Sequence, residues 1–166
     1  TERLLGVTDL PGSLARPLPR AARISVRELE SETLPERTVL VWMDWFSALY
    51  DEATQRDVQR GLTALGYAPR FVEMLPAGKV AGDLGDPAGF RAMADRLSEA
   101  LRKGAATGAP MIGLDPAFVM ALRQDYRKAG LDVPALLLPQ EFLASEVRSG
   151  VRLPQAKGGG LSLFTH

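Results

Sequence analysis

Apolar and polar residues succeed one another along the chain in blocks that predict strands and helices in alternation. Residues 38–43 (TVLVWM) form a continuous apolar, β-branched run, which is typical of a strand covered on both faces. A helix is predicted at about 51–65, because its apolar residues recur at helical spacing, and a second strand at 68–74. These segments predict one strand–helix–strand unit, expected to be parallel and right-handed.

The same alternation continues towards the end of the chain. The elements predicted there are a glycine- and proline-rich loop at 75–87, a helix from Pro87 to Lys103 and Gly104, a strand at 111–112, a helix from Pro116 to Gly130, a strand at 133–138, a short helix from Pro139 and a strand at 161–165. Strands that alternate with helices of this length indicate the α/β class. We therefore predict an open, mainly parallel, Rossmann-like sheet of about five strands with helices on both faces.

The first 37 residues have a different pattern from the rest. Their four prolines argue against long regular structure, although residues 25–30 are compatible with a turn or two of helix. We predict a connecting arm at 1–37 that lies on the surface, followed by an α/β domain at 38–166.

Charge and composition exclude several classes of function. Twenty basic residues balance twenty acidic ones, so there is no net positive field to hold nucleic acid. No apolar run reaches membrane-spanning length and no secretion signal is present, which predicts a cytoplasmic protein without a transmembrane segment. There is no cysteine, and the single histidine is His166, which argues against thiolate chemistry and against histidine-cluster metal sites. The start at Thr1 and the stop after an apolar run suggest a segment of a longer protein.

Candidate polar groups lie where the predicted strands end. Asp44 and Asp115 each follow a strand and could together coordinate Mg²⁺, but Asp115 is also placed to cap a helix and Asp44 to form a turn, and these structural roles are favoured. Arg123 and Asp125, with Tyr126, could be polar site groups, although a surface ion pair is the commoner role on a helix of this length. The glycines around Gly82 match neither phosphate-binding fingerprint. An independent small-anion or metal-binding module of flavodoxin or receiver type stays open as an alternative.

Four stretches carry a resemblance to a known family. Residues 39–51 (VLVWMDWFSALYD), 62–82, 113–126 (GLDPAFVMALRQDY) and 163–166 (LFTH) resemble the carboxyl-terminal part of FAD-linked oxidase and iron–sulfur oxidoreductases. These are D-2-hydroxy acid dehydrogenases of the D-lactate or D-2-hydroxyglutarate type, which join a flavin domain to a cysteine-rich region similar to heterodisulfide reductase. The resemblance implies that FAD and a 4Fe–4S cluster serve the parent protein and that the partners of this chain are the remaining domains of the same polypeptide.

The chain departs from the family where the cysteines would stand. It has Val80, Ala81 and Gly82 in place of a Cys-Cys-Gly signature, and Phe118 in place of a further cysteine. Since thiolates hold iron–sulfur clusters, the resemblance implies the degenerate, non-ligating first half of a cysteine-rich domain, truncated at its carboxyl-terminal end. Its expected role is structural support of electron transfer from flavin to an acceptor, with no cofactor, catalytic residue or metal ligand of its own. The candidates for contact with a cofactor in the parent protein are Asp44, Gly82, Asp115, Arg123 and His166.

Overall fold

A parallel four-stranded sheet forms the centre of the molecule in the computed structural model, which describes residues 18–153. The strands are β1 (Arg23–Ile24), β2 (Thr38–Trp42), β3 (Ala68–Val72) and β4 (Met111–Gly113), in the order β1-β3-β2-β4. The helices are α1 (Glu28–Ser31), α2 (Trp45–Leu49), α3 (Glu52–Ala64), α4 (Lys79–Asp83), α5 (Pro87–Ala106), α6 (Pro116–Ala121) and α7 (Pro139–Arg148), with a 3-10 turn at Arg20–Ala22 and a π-helical turn at Leu122–Tyr126. The predicted Rossmann-like α/β class is confirmed.

Each face of the sheet carries its own apolar core, because successive strand residues point to opposite faces. Val39 and Val41 of β2 pack with residues of α3 and α7, whereas Leu40 and Trp42 pack with residues of α5 and α6. All five residues of β2 are buried. The unbroken apolar run that predicted this strand therefore reflects helices on both faces.

The sheet begins earlier than the sequence suggested. The predicted arm was expected to lie on the surface, but Arg23 and Ile24 pair in parallel with Phe71 and Val72 as the edge strand β1. Leu18, Ala22, Ile24 and Leu29 are buried. Because these four side chains are buried, the prediction that the arm lies on the surface is wrong for this part of it.

The predicted strand at 133–138 is wrong over most of its length. A single parallel bridge joins Leu137 to Ile112. The Gly113 N–H donates to the Leu137 carbonyl (2.9 Å), and the Leu137 N–H donates to the Met111 carbonyl (3.1 Å). Pro134 has no N–H to give to a ladder, and Pro139 already opens α7. The strand predicted at 161–165 lies outside the described residues.

The helix α5 runs past the end predicted at Lys103 and Gly104, as far as Ala106. Gly104 lies inside the helix, at a point where the helix passes β2 and β4 too closely to leave room for a side chain. A Cβ there would stand 2.9 Å from Trp42 Cζ2 and 2.9 Å from Met111 Sδ. The turn that follows the helix has a left-handed glycine, Gly108, with φ of 74°.

No helix between residues 18 and 153 combines the length and the apolar character that crossing a membrane requires.

Candidate functional site

A groove of about 920 Å³ opens at the carboxyl-terminal edge of the sheet. From β2 the chain passes to β3 on one side and later to β4 on the other, so the strand order reverses beside β2. Open α/β sheets hold their ligands in the crevice beyond such a reversal. The groove is lined by Asp44, Trp45, residues 74–81, Asp83, Leu84, Asp86, Met93, Asp115, Ala117, Phe118 and Ala121.

Aspartates cap three of the helices that border the groove. The Asp44 carboxylate accepts hydrogen bonds from the backbone N–H groups of Phe46 (2.9 Å) and Ser47 (3.1 Å) at the start of α2. Asp115 accepts from the N–H of Phe118 (2.6 Å) at α6, and Asp86 caps α5 in the same way. One or two first-turn N–H groups of each of these helices are therefore already paired with a carboxylate, whose negative charge also disfavours an anionic ligand.

The loop before α4 is fixed to the body of the domain by one buried phenol. The Tyr126 hydroxyl donates a 2.9 Å hydrogen bond to the Ala77 carbonyl, and the Phe90 ring meets the tyrosine ring edge-on at 5.8 Å. Burial, and secondarily the charge of Asp95, raise the pKa of Tyr126, so this hydroxyl keeps its proton. Gly78 has φ of 80°, and a Cβ there would stand 2.9 Å from the Phe90 carbonyl oxygen. Close packing and a left-handed glycine together set where α4 begins.

Large apolar side chains stand exposed around the groove. The exposed fractions are 51% for Trp45, 65% for Val80 and 80% for Leu84. Trp45 is joined by Phe46 and Tyr50 in an aromatic cluster, with ring centroids 6.1 and 6.0 Å from its own. Contiguous exposed apolar surface of this kind marks interaction sites in soluble proteins.

The charged side chains of the groove are mostly acidic. Among its lining residues in the described part of the chain are four aspartates, Asp44, Asp83, Asp86 and Asp115, which we call the acidic rim, and one lysine, Lys79. The Lys79 ammonium lies 3.6 Å from Asp83 Oδ1 and 3.8 Å from Asp125 Oδ2. The groove thus combines an apolar floor with net negative charge at its edge.

The structure brings two of the five candidate residues to the groove. Asp44 and Asp115 both line it, and both act as helix caps. Gly82 lies within α4, where its N–H donates to the Gly78 carbonyl (3.1 Å), and it is not among the lining residues. Arg123 is also absent from the lining, and His166 lies outside the described residues. A role for any of these residues in binding a cofactor stays a prediction.

Arg123 forms an ion pair, but its partner is Glu141 and not its helix neighbour Asp125, which lies near Lys79 and Lys128 instead. Its guanidinium donates to Glu141 at the start of α7 (Nη1 to Oε1, 3.0 Å) and to the Leu136 carbonyl (2.9 Å). The Glu141 carboxylate also accepts from the N–H of Leu138 (2.8 Å). The hydrogen bond from Arg123, followed by the one from Leu138, lowers the pKa of Glu141 to about 2. This pair ties the π-helical turn to the entry of α7.

Sequence analysis missed the apolar character of the groove. The sequence predicts that Trp45 is core or an inter-domain contact, and that residues 75–87 form a long loop at the carboxyl end of a strand, where open α/β sheets hold ligands. The available signal was the presence of Leu75, Val80 and Leu84 in a stretch otherwise rich in glycine and proline. Large apolar residues in a loop at the ligand-binding edge of a sheet are candidates for contact with something outside the domain.

Within residues 18–153, no three His, Cys, Asp or Glu side chains are grouped closely enough to hold a metal ion.

Comparison with known proteins relates the chain to one class of enzyme. It is 32% identical over 160 residues to a D-2-hydroxyglutarate dehydrogenase of Escherichia coli, a match that covers 90% of this chain and 16% of that protein. Proteins of the same name from Haemophilus influenzae and Pantoea ananatis are each 31% identical, over 137 and 132 residues, and the matches cover 77% and 75% of this chain. No protein-family model matches the chain, and no solved structure matches it.

The chain spans between 13% and 16% of the length of these three relatives. It is therefore related to oxidoreductases of the D-2-hydroxy acid dehydrogenase type and corresponds to a small part of their length.

Proposed function

We propose that this chain is a structural, non-ligating domain of an FAD- and iron–sulfur-dependent D-2-hydroxy acid dehydrogenase. It packs through the groove against the remaining domains of the same polypeptide and so supports electron transfer from the flavin to an acceptor. The observation that carries the proposal is the exposed apolar groove at the carboxyl-terminal edge of the sheet, in a chain that matches a small part of much longer relatives.

The residues present do not fit either cofactor. A cluster needs thiolates, and the sequence has none; Val80 is exposed and Phe118 is buried in the core at two of the places where the resemblance implies cysteines. The pyrophosphate of a flavin nucleotide favours free N–H groups at a helix start, but Asp44 and Asp115 cap the helices beside β2 and β4. We therefore assign FAD and the cluster to other parts of the polypeptide.

The same caps weigh against an independent anion-binding module, because the acidic rim repels anions. A covered groove, by contrast, would remove Leu84 and Val80 from water. Removing apolar surface from water contributes roughly 25 cal/mol per Å² before the costs of association.

The test uses the full-length dehydrogenase that contains this chain. Leu84→Asp would place an unpaired charge in the packed interface, whereas Val147→Asp places the same charge on the exposed face of α7, outside the groove. We expect Leu84→Asp to lower the rate of D-2-hydroxyglutarate oxidation with an artificial electron acceptor by about fivefold or more, since interface anchors are worth upwards of about 1 kcal/mol. Val147→Asp should leave the rate unchanged.

Equal rates for the two variants would contradict the proposal. Because both side chains are exposed in this domain, neither variant should unfold it. Circular dichroism of the purified proteins checks that point.

A further inference from the structure

The groove and its acidic rim are suited to bind one kind of polypeptide segment. We infer that it receives an apolar segment flanked by lysine or arginine, contributed by another part of the same polypeptide. This inference rests on the proposed function and names the contact through which the domain would dock.

The apolar side chains favour a polypeptide segment over a small molecule. A compound confined to the 920 Å³ groove would cover only part of the exposed apolar surface, since Phe46, which is 55% exposed and packs against Trp45, lies outside the groove lining. A helix or extended segment covers both the floor and the surrounding apolar surface, as peptides do in other apolar grooves. Trp45 adds a large, rigid contact surface, of the type that anchors interfaces.

The charges around the groove indicate which side chains flank the docked segment. The acidic rim sets four carboxylates against Lys79, whose ammonium is already shared between Asp83 and Asp125. The Asp83 and Asp86 side chains are exposed at the mouth of the groove, where a basic side chain can reach them without being buried. Complementary charge at an interface rim selects the partner and speeds its docking.

The same charges argue against other occupants. A second copy of this chain, placed by two-fold symmetry, would bring one acidic rim against another, and like charges facing each other are unfavourable. Nucleic acid and anionic surfaces would be repelled for the same reason.

The experiment compares charge reversal at two matched positions in the full-length dehydrogenase. Asp83→Lys reverses a rim charge, and Glu99→Lys reverses a carboxylate on α5 outside the groove. Each of these carboxylates is exposed and pairs with a lysine four residues away, Asp83 with Lys79 at 3.6 Å and Glu99 with Lys103 at 3.2 Å, and each lysine is shared with a second carboxylate. Hydroxyl-radical footprinting reports how strongly Trp45 and Met93 of the groove are oxidised.

We expect both side chains to be protected in the unaltered protein and in Glu99→Lys, and to be oxidised roughly threefold faster or more in Asp83→Lys, because like charges at a rim weaken docking. Carbodiimide cross-linking of the unaltered protein supplies a readout that needs no variant. It should join Asp83 or Asp86 to a lysine outside residues 1–166.

The outcomes separate this inference from the proposed function. Protection that survives Asp83→Lys, with no cross-link from the rim to such a lysine, would overturn the basic-flanked segment while leaving the packed domain intact. Oxidation of Trp45 and Met93 in the unaltered protein would overturn both the inference and the packing on which it rests.

Discussion

Single glycines and aspartates determine much of the local backbone geometry of this domain. The sequence indicated Asp115 as a helix cap, and the structure confirms it, because an aspartate followed by proline marks a helix start by local chemistry alone. Asp86, which precedes Pro87, caps α5 in the same way. Gly104 was misinterpreted as a helix stop. From the sequence alone, a glycine in an apolar pattern can either end a helix or lie where another element packs closely against the helix. At Gly104 the second reason holds, because the side chains of Trp42 and Met111, which are distant in sequence, occupy the space of a Cβ.

Substitution of Gly104 tests this packing directly. We expect Gly104→Ala to lower the free energy of unfolding by about 1–3 kcal/mol, since its Cβ would overlap Trp42 and Met111 in the core. Gly61→Ala in α3 is the matched control, with no atom within 4 Å of the added Cβ. It should raise the free energy of unfolding by up to about 1 kcal/mol through helix propensity. Urea denaturation measures both, and a stabilising Gly104→Ala would refute the close contact.

The capping role of Asp115 can be separated from a role of its charge. Asparagine caps helices nearly as well as aspartate, whereas alanine does not. We therefore expect Asp115→Ala to lose about 1 kcal/mol of stability in urea denaturation and Asp115→Asn to lose little. An asparagine variant as unstable as the alanine variant would indicate that the negative charge itself is required.

At the scale of elements, the segments with strong patterns were predicted correctly. The unbroken apolar run predicted β2, and helical spacing predicted α3 within one residue at each end. The edge strand β1 escaped prediction because two residues cannot show a period. The predicted strand at 133–138 failed because pairing depends on what lies beside the segment, and after Leu137 the chain turns into α7.

The ion pair between the π-helical turn and α7 makes one part of the stability depend on pH. The pKa of Glu141 is about 2 in the folded domain, against an ordinary value of 4.5. Because the folded-state pKa is the lower one, the stabilisation is fully present above pH 4.5 and is lost as the pH falls towards 2. We expect Glu141→Gln to flatten the fall in melting temperature over this interval. The same substitution at the exposed Glu36 is the control, and identical pH profiles for the two variants would contradict the assignment.

At the scale of the whole molecule, the sequence predicts that the loop at 75–87 lies at the carboxyl-terminal edge of the sheet, and the groove opens there, but the apolar character of the groove was not predicted. The loop at 75–87 was expected to face a ligand because it follows a strand. Whether Val80 and Leu84 point into the domain or away from it depends on how Tyr126 and Phe90 hold the loop, which no local pattern encodes. The domain boundary at 37 and the truncation at the carboxyl-terminal end stay predictions.

The isolated chain should expose the groove to apolar probes. We expect the uncharged fluorescent dye Nile red to bind it, and binding to fall several-fold in a Val80→Ser, Leu84→Ser double variant, because these residues supply exposed apolar surface. Surface substitutions of this kind should change the free energy of unfolding by no more than about 0.5 kcal/mol each. Val147→Ser is the control on α7, and equal dye binding by all three proteins would place the apolar surface elsewhere.

The brevity of β1 has a consequence for how further protein can pack against this domain. Two residues at the edge of the sheet offer an added strand very few backbone groups with which to extend the hydrogen-bonded ladder. At the other edge, β4 already pairs with Leu137. Contacts with further protein are therefore favoured at the side chains beyond the strand ends and not by extension of the sheet.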